Sequence, residues 1–168
     1  MKPIPSGSAS GEAAAGRLAL EQFLPFRLSV LANRVTRAVA RVYARRFQLS
    51  APEWRIMAVL GRYGAMTANS VVERTAMDKV RVSRGVARLL AANRITRRTD
   101  LQDRRRAILD LTPEGRAAYE QIVPLVLAVE AELLGDLGAD ERAMLDAVMR
   151  KLETRTAGAF AESDDEEI

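Results

Sequence analysis

A pair of short strand-like runs inside an otherwise helical chain is the feature that most limits how this sequence can fold. The runs are "ITRRT" at 95–99 and "RAILDL" at 106–111, and both contain β-branched residues in partial alternation. A polar loop that begins "DLQDR" separates them. Runs of this kind, joined by a short polar loop, predict a β-hairpin. The other segments, before and after it, follow a helical period.

A long helix and a shorter one are expected ahead of the hairpin. Apolar residues recur at helical spacing from about 20 to 47, which predicts one long helix with a single apolar face. Ser50 and Glu53 have the spacing of a capping box, so a second helix begins there. Gly64 lies where this second helix is expected to end.

Capping signals predict the remaining helices. Thr67 and Asp78 can cap two short helices, the second of which ends near Ala92, with Asn93 in the left-handed conformation that terminates helices. After the hairpin, Thr112 stands before a proline and is the N-cap of a further long helix. A last helix is predicted over about 139–154.

This order of elements indicates a mainly α fold with a small β-hairpin wing: a winged helix-turn-helix whose long N- and C-terminal helices form a dimerisation domain. The broad apolar stripes of the long helices would stay uncovered in a monomer, and a symmetric dimer is the usual solution. A single-chain antiparallel bundle is the alternative. We expect a disordered lead at 1–19, a helical dimerisation region at 20–47 and 114–156, the winged lobe at 48–113 and an acidic tail at 157–168.

The composition argues against several classes of protein. The chain has no cysteine and no histidine, which excludes disulfides, thiol chemistry, Ser-His-Asp catalysis and the usual zinc sites. We therefore expect neither an enzyme nor a cofactor. The apolar stretch at 122–129 is far shorter than the roughly 20 residues of a membrane span, and the N-terminus lacks an apolar signal region. We expect a cytoplasmic protein.

The positive charge is concentrated in one part of the chain. Residues 78–106 hold ten Lys or Arg and three Asp, whereas the remaining residues hold sixteen basic and nineteen acidic groups. A localised excess of positive charge is typical of a nucleic-acid contact surface. A merely solvated charged face is the alternative interpretation.

The helix predicted over 78–90 divides this charge from an apolar face. Val82, Val86 and Leu89 fall on one side, and arginines fall on the other. An α-helix fits the DNA major groove, where arginine can make bidentate contacts with guanine, so we expect Arg81 and Arg84 to reach the bases. The residues better suited to phosphates are Lys79, Ser83 and Arg88, together with Thr67 at the start of the preceding helix.

The loop of the hairpin supplies a second set of candidates. Asp103 stands two positions before Arg105 and can hold that guanidinium extended through an ion pair. A narrow minor groove has an enhanced negative potential that accepts an inserted arginine. Arg104 and Arg106 are then placed to contact the flanking phosphates. The purpose of the ion pair is orientation, since an exposed pair contributes little stability.

These segments resemble the MarR family of winged-helix transcriptional regulators. The resemblance is carried by "LSAPEWRIMAVL" and by "AMDKVRVSRGVARLLAANRITRRTDLQDRRRAILDLTPEGR", and it extends over roughly 25–153. It implies a homodimer on a pseudo-palindromic operator, with Arg105 as the wing-tip arginine and Asp103 as its partner. It also implies that Arg81 and Arg84 lie in the major groove. Cysteine-based peroxide sensing, known in the family, is excluded by the composition.

The resemblance also implies a small-molecule effector. Arg34, Arg37, Arg41 and Arg45 form a stripe on the first long helix, and no acidic residue occurs between Phe23 and Pro52. An anionic ligand on this stripe is one hypothesis, and a solvated or DNA-facing basic flank is the other. The stretch "LPFRLSVLANRVTRAVARVYARRFQLSAPEWR" is similar to the branch that represses aromatic-acid and hydroxycinnamate catabolism, which implies an aromatic acid or a hydroxycinnamoyl-CoA thioester as effector. The expected contacts are Arg27, Arg34, Arg37, Tyr43 and Trp54.

The alternative to a DNA-binding regulator is a winged-helix module that binds a protein and has no sequence-specific affinity for DNA. RNA binding is less favoured, because aromatic residues make up only 5% of the chain and offer few stacking surfaces.

Overall fold

The structure is a computed structural model that describes residues 18–100 and 106–159. Its elements follow the predicted order, with one short strand in addition. In chain order they are α1 (Leu24–Phe47), α2 (Ala51–Tyr63), β1 (Met66–Thr67), α3 (Ala68–Thr75), α4 (Lys79–Ala91), β2 (Ile95–Thr99), β3 (Ala107–Leu111), α5 (Pro113–Leu133) and α6 (Ala139–Ala159).

Two predicted helix ends were wrong. The first helix begins at Leu24 rather than near 20, because the preceding residues form a turn that leads to a proline in the first helical turn. The last helix continues past the predicted end at Thr154 to Ala159, and so enters the predicted acidic tail. The lead at 1–17 and the rest of the tail lie outside the described residues.

The capping predictions were confirmed. The Ser50 N–H donates to Glu53 Oε2 at 2.7 Å, and Thr67 Oγ1 accepts from the Ser70 N–H at 3.1 Å. Asn93 has a φ of 53°, the left-handed conformation predicted for the end of α4. These features depend on residues three or four positions apart, and such local geometry is visible in the sequence.

The sheet has three strands in the order β1-β3-β2, all antiparallel, where a two-stranded wing was predicted. In the hairpin, Ile95 is opposite Leu111 and Thr99 is opposite Ala107. The additional strand places Met66 opposite Leu109. A two-residue strand has no detectable alternation, which is why the sequence did not predict it.

The core lies inside the winged lobe, where α2 packs on α3, α4 and the sheet. Ile56, Met57 and Leu60 of α2 are fully buried. They meet buried residues contributed by the other elements of the lobe, among them Val71, Val82, Leu89 and Leu109. This packing holds α4 by its apolar face and leaves its opposite face outward.

Three aromatic rings connect the lobe to the long helices. The Tyr43 ring of α1 lies 5.5 Å from the Trp54 ring of α2, and Trp54 lies 6.0 Å from the Tyr119 ring of α5, centroid to centroid. Such aromatic contacts add to the stabilisation from burial. The rings therefore fix the positions of α1 and α5 relative to α2.

The long helices also expose apolar side chains. Leu24, Leu28 and Leu31 of α1 are exposed, as are Leu145 and Val148 of α6. A contiguous exposed apolar surface is typical of a protein–protein contact. Within residues 18–100 and 106–159, no helix combines the length and the apolar character needed to cross a bilayer.

Candidate nucleic-acid interface

The first turn of α4 is fixed by its N-cap. Asp78 Oδ1 accepts from the Arg81 N–H at 2.7 Å, and Asp78 Oδ2 lies 3.6 Å from Arg81 Nε. Both side chains are more than half exposed, so this ion pair contributes little stability. It does keep the Arg81 guanidinium beside the N-terminus of the helix.

The two faces of α4 differ as predicted. Val82, Val86 and Leu89 are buried against the lobe. The exposed side carries all five of the predicted DNA contacts of this helix: Lys79, Arg81, Ser83, Arg84 and Arg88. The helix thus presents a row of hydrogen-bond donors, most of them positively charged, to the exterior. This chemistry is suited to guanine and phosphate acceptors.

Val80 is a candidate that the sequence did not single out. This side chain is 59% exposed near the start of α4, and it lines a surface cleft together with Arg81, Arg84 and Arg88. An exposed apolar side chain in such a row can contact a thymine methyl group. In the sequence, the position of this valine next to the arginines was the one indication of a DNA contact. A valine of the helix's buried apolar face would give the same pattern.

Thr67 lies in a separate cleft that the fold builds from distant residues. This cleft combines the start of α3, including Asn69, with Arg97 of β2 and Arg106 before β3. Thr67 and Arg106 were predicted as phosphate contacts, whereas Asn69 and Arg97 were not. The pairing of β2 with β3 brings Arg97 to this cleft, and the sequence alone does not specify that register.

The predicted wing-tip residues Asp103, Arg104 and Arg105 lie outside the described residues. The base of the wing is described: the Asp100 N–H donates to the Arg106 carbonyl at 2.9 Å, which extends the hairpin pairing by one step beyond Thr99.

The predicted effector contacts do not form one group. Arg27 and Arg34 line a cleft on the exposed side of α1, with Leu24, Leu28 and Leu31. Tyr43 lies sixteen residues after Arg27 on the same helix, about 24 Å away at the helical rise.

Tyr43 and Trp54 are core residues, with 1% and 8% exposure. Burial raises the pKa of the Tyr43 hydroxyl, and the nearby Arg55 guanidinium opposes this shift. Arg55 in turn donates to Thr36 Oγ1 at 3.2 Å, joining α2 to α1. Arg37 is exposed on α1.

Comparisons with known proteins relate part of the chain to one family. A family model described as MarR family matches residues 47–106, from the end of α1 to the end of the wing loop. The HTH-type transcriptional repressor NicR of Pseudomonas putida is 27% identical over 105 residues, which are 62% of this chain and 66% of NicR. BpsR of Bordetella bronchiseptica, whose DNA binding is regulated by 6-hydroxynicotinic acid, superposes with a TM-score of 0.73 and 26% identity. That superposition covers 82% of this chain and 98% of the BpsR chain. Residues 47–106 of the chain therefore resemble the MarR family, and the relatives named here are transcriptional regulators.

Further similarity concerns the fold. A MarR/EmrR family regulator from Acinetobacter sp. ADP1 has a TM-score of 0.77 at 23% identity, over 84% of this chain and 99% of its own. The winged helix-turn-helix prediction is confirmed. The match to NicR spans just under two thirds of NicR's length. The similarity is to transcriptional regulators rather than to enzymes, which agrees with the prediction.

Proposed function

We propose that this chain is a cytoplasmic repressor of the MarR family that binds a pseudo-palindromic operator as a homodimer and is released by a small aromatic acid. The observation that carries the proposal is the division of α4 into a buried apolar face and an exposed face with Lys79, Arg81, Arg84 and Arg88. Because the lobe holds α4 from behind, the exposed face is available to enter a major groove.

In the proposed complex, different residues read the bases and the backbone. Arg81 and Arg84, near the start of α4, contact base edges. Lys79, Ser83, Arg88 and Thr67 contact phosphates, which set the register of the protein on the duplex. At the wing, Asp103 orients Arg105 into the minor groove, and Arg104 and Arg106 take the flanking phosphates.

Dimerisation is proposed through α1, α5 and α6, the region predicted at 20–47 and 114–156. Exposed apolar side chains on α1 and α6 support this assignment, since their burial against a second copy would be favourable. A two-fold axis then explains the palindromic operator, because each winged lobe reads one half-site.

The aromatic-acid effector is supported by two relatives and by one surface. NicR is named as a repressor, and the DNA binding of BpsR is regulated by 6-hydroxynicotinic acid. On this chain, Arg27 and Arg34 stand beside leucines of α1, which combines positive charge with an apolar wall. That combination suits an aromatic ring with a carboxylate, and a partner helix in the dimer would close the cleft.

Fluorescence anisotropy on a duplex from upstream of the chain's own gene tests the proposal. We expect tight binding that weakens steeply with salt, because each neutralised phosphate releases counterions. Addition of 6-hydroxynicotinic acid or a free hydroxycinnamic acid should release the duplex. Release by hydroxycinnamoyl-CoA but by neither free acid would show that the effector is the thioester rather than the acid. Absence of binding to any duplex would reject the repressor and favour the protein-binding module.

A further inference from the structure

The side chain of Glu53 is buried next to the proposed DNA-binding surface. It is only 6% exposed, and it lies in the first turn of α2. Its Oε2 accepts from the Ser50 N–H at 2.7 Å, and its Oε1 lies 3.5 Å from Nη1 of Arg88 on α4. One carboxylate therefore connects the start of α2 with the exposed face of α4.

A carboxylate is costly to bury unless it is hydrogen-bonded and paired with a positive charge. Glu53 meets both conditions, and the N-terminus of α2 adds a favourable dipole. Because Oε2 is engaged by the Ser50 N–H, the side chain has little freedom to move. Glu53 is thus a fixed negative charge beneath a row of arginines.

Arg88 is the opposite case, because its side chain is 72% exposed. An exposed arginine samples many rotamers, and binding a phosphate removes that freedom. The ion pair with a fixed carboxylate limits the rotamers before DNA arrives. Since the ion pair with Glu53 is made at Nη1, the other N–H groups of the guanidinium are left for a phosphate oxygen.

We propose that Glu53 is a positioning residue for DNA binding, which holds the Arg88 guanidinium towards a backbone phosphate. The inference rests on the proposed DNA-binding function. For the strength of DNA binding, it predicts the opposite of what net charge alone predicts. Removing an acidic group near DNA normally strengthens binding, whereas removing Glu53 should weaken it, because the Arg88 side chain becomes less ordered.

The test compares Glu53→Gln, Arg88→Gln and the double variant by anisotropy of the full-length protein over a series of salt concentrations. Glutamine at this position also completes a capping box, so Glu53→Gln keeps the start of α2. We expect each single variant to bind about tenfold more weakly. We also expect the salt slope of each to fall by about 0.9 for every phosphate that the variant no longer neutralises. The double variant should be no weaker than Arg88→Gln.

Glu73→Gln is the matched control. Glu73 is exposed on α3 and lines the Thr67 cleft, so its replacement makes the same change of charge near the same surface. It should bind DNA equally well or more tightly. Thermal unfolding of every variant separates a folding defect from a weaker interaction with DNA, because a smaller folded fraction lowers the apparent affinity without changing the salt slope.

Three outcomes would overturn the positioning role. The first is that Glu53→Gln binds DNA as tightly as the parent chain, and the second is that its salt slope is unchanged. The third is that Glu53→Gln weakens binding equally in the parent chain and in the Arg88→Gln variant. If Glu53→Gln does not fold, DNA binding by Arg88→Lys tests the positioning role instead. It keeps the charge but loses the planar fork, so positioning predicts weaker binding and simple charge predicts no change. A parent chain without affinity for any duplex would reject the proposed function itself.

Discussion

Gly115 is the residue whose substitution the fold tolerates least among the glycines of the described chain. A Cβ atom at this position would lie 1.8 Å from the Arg94 carbonyl oxygen, which is backbone and cannot rotate away. The start of α5 is already held close to the residues before β2, because Thr112 Oγ1 accepts from the Gly115 N–H at 2.8 Å and donates to the Asn93 carbonyl at 2.8 Å.

Gly115→Ala should therefore lower the free energy of unfolding by about 3 kcal/mol, the upper range for overpacking a filled site. Gly138→Ala is the control, since its Cβ would meet only a side-chain oxygen at 3.6 Å. Its free energy of unfolding should change by less than about 0.5 kcal/mol. Urea titrations at equal protein concentration measure both values, and equal losses of stability for the two variants would contradict the prediction.

At the scale of the element, α4 and the wing should contribute differently to DNA recognition. Arg84→Ala removes a proposed base contact, which should cost about 1–3 kcal/mol and relax the preference for one base pair. Arg97→Ala removes a proposed phosphate contact, so it should weaken binding to all sequences alike and reduce the salt slope by about 1. Anisotropy with the operator and a set of single-base variants distinguishes the two patterns. Equal loss of base preference in both variants would contradict this division of roles.

The elements also show what the sequence can predict. Caps such as Asp78 and Thr112 were predicted correctly because donor and acceptor lie three residues apart. The face of α4 followed from its period alone. Strand β1 could not be predicted in this way. Met66 pairs with Leu109, which is distant in the sequence, and neither residue type indicates that pairing. The pair of Glu53 with Arg88 was missed for the same reason, since it depends on how α2 packs against α4.

The effector contacts stay a prediction, and two of the residues predicted for them lie in the core. Tyr43 and Trp54 were expected to contact a ligand, and in the single chain their rings fill the junction between the lobe and the long helices. An aromatic residue at helical spacing has the same sequence pattern whether it lines a cavity or fills a core. The difference is set by the packing of α5, whose Tyr119 completes the stack.

At the scale of the whole molecule, the exposed apolar side of α1 should decide the oligomeric state. Leu31 is 54% exposed in the single chain, on a helix whose neighbours at i−4 and i+3 are Arg27 and Arg34. A glutamate at this position can pair with either arginine, so Leu31→Glu should keep α1 helical while placing a charge in the proposed dimer contact. We expect a folded monomer.

Sedimentation velocity measures the mass of the variant, and circular dichroism checks its helix content. Tyr63→Glu is the control, because Tyr63 is similarly exposed, at 56%, but lies on α2 of the winged lobe. It should remain a dimer. A monomeric Leu31→Glu should also bind the full operator far more weakly than a dimer does, because two linked lobes bind with an effective concentration that separate lobes lack. A dimeric Leu31→Glu would place the interface between copies elsewhere than α1.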